Sequence, residues 1–187
     1  MKTHLSPALR LTLIFLVLLA VIYPLIVAAI GKLAPGGGAG ETVTVNGKVV
    51  GYVKIGQKFT DDRYFNSRPS AVDYNAAGSA GSNKGPSNPD YLATVQARID
   101  TFLVHNPGVT KEQIPAELVT ASGSGLDPDL SPQSALLQVP RIARLRRISE
   151  DQLRQLVTEQ TERPFIGVFS IEKVNVLALN LALEQPR

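Results

Sequence analysis

The chain has no cysteine and only two histidines, His4 and His105. The missing thiols exclude disulfides, thiolate zinc sites and cysteine nucleophiles together. They leave the redox compartment open. Two histidines so far apart make no histidine-rich metal motif, and no Ser–His–Asp set accompanies them to support nucleophilic catalysis. Acidic residues are absent before Glu41, although the chain carries sixteen. Of the nineteen Lys and Arg, Lys2, Arg10 and Lys32 precede Glu41, so the formal charge of +3 belongs to that stretch and the remainder is neutral. A phosphate-backbone binder needs a basic surface, so nucleic acid is not expected as a partner. A second long apolar run is also missing. With 187 residues, that excludes a multi-span channel and a complete ion pump, and leaves one domain plus an anchor.

What is present begins with that anchor. Residues 11–30 carry no charge and are interrupted only by Thr12, Tyr23 and Pro24. At ~1.5 Å per residue they reach ~30 Å, the thickness of a bilayer core. A cleaved signal peptide is the alternative: its apolar core runs about 7–15 residues, and Val27-Ala28-Ala29 offers a cleavage site. Lys2 and Arg10 precede the span, whereas Lys32 follows it and the next basic residue is Lys48. By the positive-inside rule the N-terminus is cytoplasmic. The expected division is a cytoplasmic tail at 1–10, a transmembrane helix at 11–31, a linker at 32–41 and an extracytoplasmic domain at 42–187. The protein is then single-pass in the cell (inner) membrane, its domain periplasmic or extracellular, with the lipid bilayer as its first partner. Ala20, Pro24 and Ala28, followed by Gly31, place small residues on one face, where a partner helix can approach; small residues are also simply common in membrane helices.

The linker is rich in Gly and Ala and therefore flexible. Beyond it, Asn46-Gly47 sits between β-rich runs and predicts a hairpin with a two-residue turn. Residues 60–90, rich in Asn, Ser, Gly and Pro, read as a long loop pinned by Phe59, Tyr64, Phe65 and Tyr74. Asp90 is the expected cap of a helix reaching Val104, with Leu92, Val95, Ile99, Phe102 and Leu103 inward. Asn106-Pro107-Gly108 ends it. A second helix starts after Ser131 with Pro132 in its first turn and bends at Pro140. Ser149 and Gln152 form the capping box of a third. Residues 164–170 read as a strand and 174–183 as a helix. Strands first and helices later give an α+β class: one N-terminal transmembrane helix followed by a mixed α/β domain.

No constellation demands chemistry. Arg141, Arg144, Arg146 and Arg147 form either an anionic-partner surface or, more simply, a solvated helix face near Glu150 and Asp151. Ser122-Gly123-Ser124-Gly125-Leu126-Asp127-Pro128 lacks the Gly-x-x-x-x-Gly-Lys-Ser/Thr spacing of a phosphate loop. It reads instead as a tight turn in which Asp127 and Asp129 accept from backbone N–H groups. Two carboxylates fall short of the oxygen count calcium requires, so no metal site is expected.

Several segments taken together resemble a known family. Gly56-Gln57-Lys58-Phe59, Tyr64-Phe65-Asn66-Ser67-Arg68-Pro69-Ser70-Ala71, Tyr74, Gly81-Ser82-Asn83, the 122–128 turn, Gln138-Val139, Arg141-Ile142-Ala143 and Asn175-Val176-Leu177 follow in order. They are similar to the C subunit of the Kdp potassium-transporting ATPase, from the anchor to about Leu183. Ile142 stands where that family leads one to expect Val.

The resemblance implies a small, non-catalytic accessory subunit of an ATP-driven potassium-uptake complex. Its partners would be the pore-forming, potassium-binding subunit and the ATP-hydrolysing subunit, and its tasks assembly and a chaperone-like increase in ATP affinity. No Asp is followed by Lys, as a P-type phosphorylation site requires, and no Thr-Val-Gly-Tyr-Gly filter occurs. No catalytic residue, metal or cofactor is therefore assigned to this chain; ATP and potassium belong to the complex. With about ten residues in the cytoplasm, an effect on ATP must be indirect, through linkage. Partner-facing candidates are Gln57, Phe59, Tyr64, Phe65, Arg68, Asn83, Ser122, Ser124, Asp127, Gln138 and Arg141; Ala20, Pro24, Ala28 and Gly31 are candidates for packing in the membrane. The competing reading is a stand-alone tethered binding or sensor domain, functional when cut free after Gly40.

Overall fold

A computed structural model describes residues 2–163 and 171–185. The chain divides into two compact units, Met1–Val50 and Gly51–Arg187.

The first unit is dominated by an apolar helix. Helix α1 (Lys2–Val17) runs through a π turn at Leu18–Ile22 into α2 (Tyr23–Gly31). The wide turn has a physical cause. Pro24 has no N–H, and its ring would clash with the Ala20 carbonyl in a regular helix. Shifting to i→i+5 bonding, with Tyr23 N–H on the Leu18 carbonyl, carries the chain past that point. The stretch His4–Gly31 is long and apolar enough to cross a membrane. Its leucines, isoleucines and valines are all exposed on the isolated helix. Each large apolar side chain left in water forgoes ~1.5–3 kcal/mol, so the helix needs an apolar surround. After a Pro35–Gly38 turn, strands β1 (Thr42–Val45) and β2 (Lys48–Tyr52) form the predicted hairpin. Asn46 (φ 50°) and Gly47 (φ 76°) supply the two positive-φ positions of its turn.

In the second unit, α3 (Pro89–His105) precedes a short strand β3 (Asp129–Leu130) and helices α4 (Pro132–Leu136), α5 (Val139–Arg146) and α6 (Glu150–Glu159). Strands β4 (Thr161–Glu162) and β5 (Lys173–Asn175) and helix α7 (Val176–Glu184) complete it. The sheet is antiparallel in the order β3-β5-β4, with Leu130 and Thr161 both in register with Val174. Leu130, Ala135, Val139, Ile142, Leu153, Leu156, Val157, Val174, Val176, Leu179 and Leu183 form the core between sheet and helices. The class is α+β, as the pattern of elements predicts.

Caps account for several boundaries. The Ser131 hydroxyl accepts from Ser134 N–H with Pro132 in the first turn, and Ser149 and Gln152 close a capping box. Other boundaries differ from expectation. Asn88, not Asp90, caps α3, because Pro89 takes the first helical position and the Asn88 side chain accepts from Tyr91 N–H. Leu92, expected inward, is exposed. The helix expected to bend at Pro140 is instead divided at Leu137 and Gln138, because Pro140 opens the first turn of a new helix. Val174 belongs to β5, and Asn175 caps α7. The strand expected over 164–170 lies outside the described residues.

Residues 53–88 contain no longer helix or strand, only a short Ala76–Gly78 turn. The segment is nonetheless fastened down. Gly56 N–H donates to the Leu126 carbonyl at 2.7 Å. A Cβ on Gly56 would lie 2.4 Å from the Asp127 carbonyl oxygen, so only glycine permits this approach. Gly56→Ala is expected to destabilise the domain by about 1–3 kcal/mol, measured by urea unfolding of the detergent-solubilised chain. Unchanged stability would show that the two backbones are not in contact.

Candidate functional site

The site is built around two consecutive loop residues, Phe65 and Asn66. The Phe65 side chain is fully buried in the core. That burial carries its main chain inside, where each N–H and C=O must find a partner. Asn180 of α7 provides both for Phe65: Oδ1 accepts from Phe65 N at 2.9 Å and Nδ2 donates to Phe65 O at 3.0 Å. Gln138, the N-cap residue of α5, does the same for Asn66, with Oε1 accepting from the N–H at 2.8 Å and Nε2 donating to the carbonyl at 3.1 Å. Each carboxamide thus takes the place of a neighbouring strand. Gln138 is 0% and Asn180 3% exposed.

Arg141 extends this network. Its side chain is buried, and its Nη2 donates to Gln138 Oε1 at 2.8 Å. Its Nε donates to Asn106 Oδ1 at 3.0 Å, and its Nη1 donates to the Asp62 carbonyl and approaches the Asp62 carboxylate at 3.4 Å. Burial pushes the Arg141 guanidinium below its ordinary pKa, opposed by the Asp62 and Asp61 charges. A guanidinium stays charged in proteins, so these acceptors offset its desolvation. Asn106 donates back to the Phe102 carbonyl, and His105 Nδ1 lies 2.8 Å from Asp62. Beside this network Arg146 lies over the Tyr64 ring, 4.6 Å from its centre, and pairs with Glu184. On the exposed rim, hydrogen bonds from Arg63 hold the Asp61 carboxyl at about 2.

A second cluster holds the 122–128 turn. Arg68 Nη1 pairs with Asp127 Oδ2 at 2.8 Å. Ser70 Oγ donates to the Gly125 carbonyl at 2.7 Å and accepts from Val72 and Tyr74 N–H groups. The Tyr74 hydroxyl donates to the Arg68 carbonyl, and burial pushes its pKa up. Asp127 Oδ1 accepts from Asp129 N–H at 3.1 Å, as the turn reading requires. Asp129 differs: its carboxylate takes Lys173 at 2.8 Å. Glu117 anchors the start of α4. Burial raises its carboxyl, but hydrogen bonds from Ser131 and Ser134 outweigh this and leave it below the ordinary value.

The sequence candidates therefore fall into two groups. Phe65, Ser122, Gln138 and Arg141 are buried within this chain. Phe65 fills the core, Gln138 and Arg141 make the clamp, and Ser122 holds the turn through its main chain, with its N–H on the Pro69 carbonyl and its own carbonyl accepting from Gly125 N–H. The reading of Arg141 as part of a solvated face is likewise corrected, and Arg146 is tied to Tyr64 and Glu184. Gln57, Phe59, Tyr64, Arg68 and Asp127 are half-buried, and Asn83 and Ser124 are exposed. Asn106, Asp62 and Asn180 are functional to the clamp but were not singled out by motif. Asn180 leaves a signal: it is the one polar side chain in Val176–Leu183, and a polar group on so apolar a helix needs a buried partner.

Between this loop and α3 lies a cleft of about 450 Å³, lined by Thr60, Asp62, Asn66 and Ser67 on one side and by Arg98, Phe102 and His105 on the other. A neighbouring pocket of about 260 Å³ shares Thr60, Ser67 and Arg98 with it. Among the described residues no group of three or more His, Cys, Asp or Glu is placed to hold a metal ion.

Residues 5–185 match the family described as K+-transporting ATPase, c chain. The relative from Flavobacterium johnsoniae, named potassium-transporting ATPase KdpC subunit, is 59% identical over 182 residues, covering 97% of this chain and 98% of its own. A Bacteroides fragilis relative of the same name is 51% identical over 188 residues, covering 99% and 98%. One from Caldanaerobacter subterraneus subsp. tengcongensis is 45% identical over 184 residues, covering 98% and 95%.

The clamp predicts a specific pattern of stability. Asn180→Leu strips Phe65 of both main-chain partners and is expected to cost about 2–4 kcal/mol. Gln138→Leu is expected to cost at least as much, since it also removes an acceptor of Arg141. Arg154→Ala, which breaks only an exposed pair with Glu150, is expected to change stability by under about 0.5 kcal/mol. Urea unfolding followed by circular dichroism measures all three; equal effects would remove the special role of the carboxamides.

Proposed function

The chain belongs to the KdpC family, the c chain of K+-transporting ATPases, and from that premise we propose that it is the non-catalytic assembly subunit of a potassium-uptake complex. It is a subunit of such an ATPase and carries one apolar N-terminal helix suited to membrane anchoring. The finer reading is as follows. Residues 11–31 cross the cell membrane, 1–10 remain cytoplasmic and, past a linker at 32–41, residues 42–187 stand on the extracytoplasmic side. Helix and domain together hold the pore-forming, potassium-binding subunit to the ATP-hydrolysing subunit. The Ala20, Pro24, Ala28 and Gly31 stripe serves helix packing. Gln57, Phe59, Tyr64, Arg68, Asn83, Ser124 and Asp127 remain candidates for the partner face.

The observation that carries this reading is the extent of the family match, which takes in the anchor and the domain as one unit of descent. The geometry supports an indirect influence on ATP affinity. Both ends of the Gln138 carboxamide are engaged by the Asn66 main chain, and Ser122 is buried. Neither is free to grip a nucleotide. Raising ATP affinity would instead follow from stabilising one state of the complex, because the two bindings are thermodynamically linked.

An affinity-tagged chain extracted from membranes in mild detergent is expected to bring down two large hydrophobic subunits. Cleavage after Gly40 is expected to abolish transport. Recovery of the tagged chain alone, with a released domain still active, would contradict the subunit role and favour a stand-alone tethered domain.

A further inference from the structure

The charge ledger of the cleft leaves one cation over. The smaller pocket is lined by three basic side chains, Lys58, Arg68 and Arg98. Lys58 is held by Asp73 at 2.6 Å and Arg68 by Asp127 at 2.8 Å. In the adjoining larger space, Asp62 receives both Arg141 and His105. Among the described residues, no carboxylate lies within the 4.0 Å pairing distance of Arg98. Among the described residues its guanidinium makes one hydrogen bond, Nη1 to the Val119 carbonyl at 3.1 Å, which leaves the remaining donors of its planar fork. Arg68, on the same pocket wall, has a buried Nε with no acceptor.

The shape fits this excess. Thr94, Ala97, Arg98, Thr101, Phe102 and His105 line the larger space. Their spacing puts them on one face of α3. Helix α3 has no fully buried residue; on this face Phe102 packs against the core, while Thr94, Ala97, Thr101 and His105 stay exposed. A guanidinium in a concave, partly apolar site attracts a carboxylate more strongly than one on open surface, and its fork matches both carboxylate oxygens.

We propose that this cleft docks an acidic segment of a partner subunit, with an Asp or Glu carboxylate of that segment on Arg98. The proposal deepens the subunit reading above and rests on it. Hydroxyls of Thr60, Ser67, Thr94 and Thr101 line the path for the segment's main chain, and Phe102 and Leu118 give it apolar contact.

The test uses the intact complex purified through the tagged full-length chain. Arg98→Lys, which keeps the charge, is expected to recover partner subunits at near wild-type level. Arg98→Gln should lower recovery and flatten its salt dependence, and Arg98→Glu should lower it about tenfold or more, as like charges meet. A photo-crosslinking residue at Thr94 is expected to capture a partner peptide that contains Asp or Glu. Reversing that acid to Lys should restore recovery with Arg98→Glu. Melting curves of each variant chain separate lost docking from lost folding. If the wild-type chain recovers no partner, the subunit reading itself fails. If the wild type recovers partners and Arg98→Glu does so equally, or the crosslink falls on a segment without acids, the acidic dock alone is overturned.

Discussion

Two buried carboxamides, Asn180 and Gln138, hold the main chain of Phe65 and Asn66, and the order of the loop-rich half of the domain depends on them. Without them four main-chain groups would be desolvated and unpaired, at about 1–3 kcal/mol each. With them a loop is held as firmly as a strand. The Phe65 side chain enters the helical core, and the same contact passes through Gln138 to Arg141, Asp62 and the end of α3. The 122–128 turn is fastened in turn by Arg68 and Ser70, a few residues along the same loop. One short segment thereby connects α3, α5, α7 and the turn before β3.

This arrangement explains how a domain with so little regular sheet sustains a defined surface. Its short strands bring Val174 and Leu130 to the core, but the polar network sets the positions of the outer loops. Most charges in that network are matched within the chain. The anchor follows a different rule. There the main chain must be satisfied along the helix itself, and the π turn before Pro24 meets that demand while small residues follow on one side.

Much of the fold was legible from local sequence. The Asn46-Gly47 turn, the Ser131 and Ser149 caps and the apolar span are dictated by residues a few positions apart, and the structure has them. The α3 cap was displaced by two residues because Pro89 outranks Asp90 in the first turn. The sequence does not distinguish the division at Gln138 from a bend, because Pro140 opens a helix as readily as it kinks one. The clamp was less accessible. Gln138 meets Asn66 across 72 residues and Asn180 meets Phe65 across 115, and no periodicity encodes such pairs. The motif residues Phe65, Gln138 and Arg141 read as partner-facing candidates but are buried in the structure, because a motif does not record the direction a side chain faces.

Hydrogen exchange at the amides of Phe65 and Asn66 tests the clamp most directly. Both lie in a segment without helix or strand, where exchange is ordinarily fast. The account predicts that they exchange only with opening of the core, alongside Val174 of β5, slowed by roughly 10³-fold or more relative to the free chain. Exchange at the rate of the exposed loop around Gly85 would contradict it.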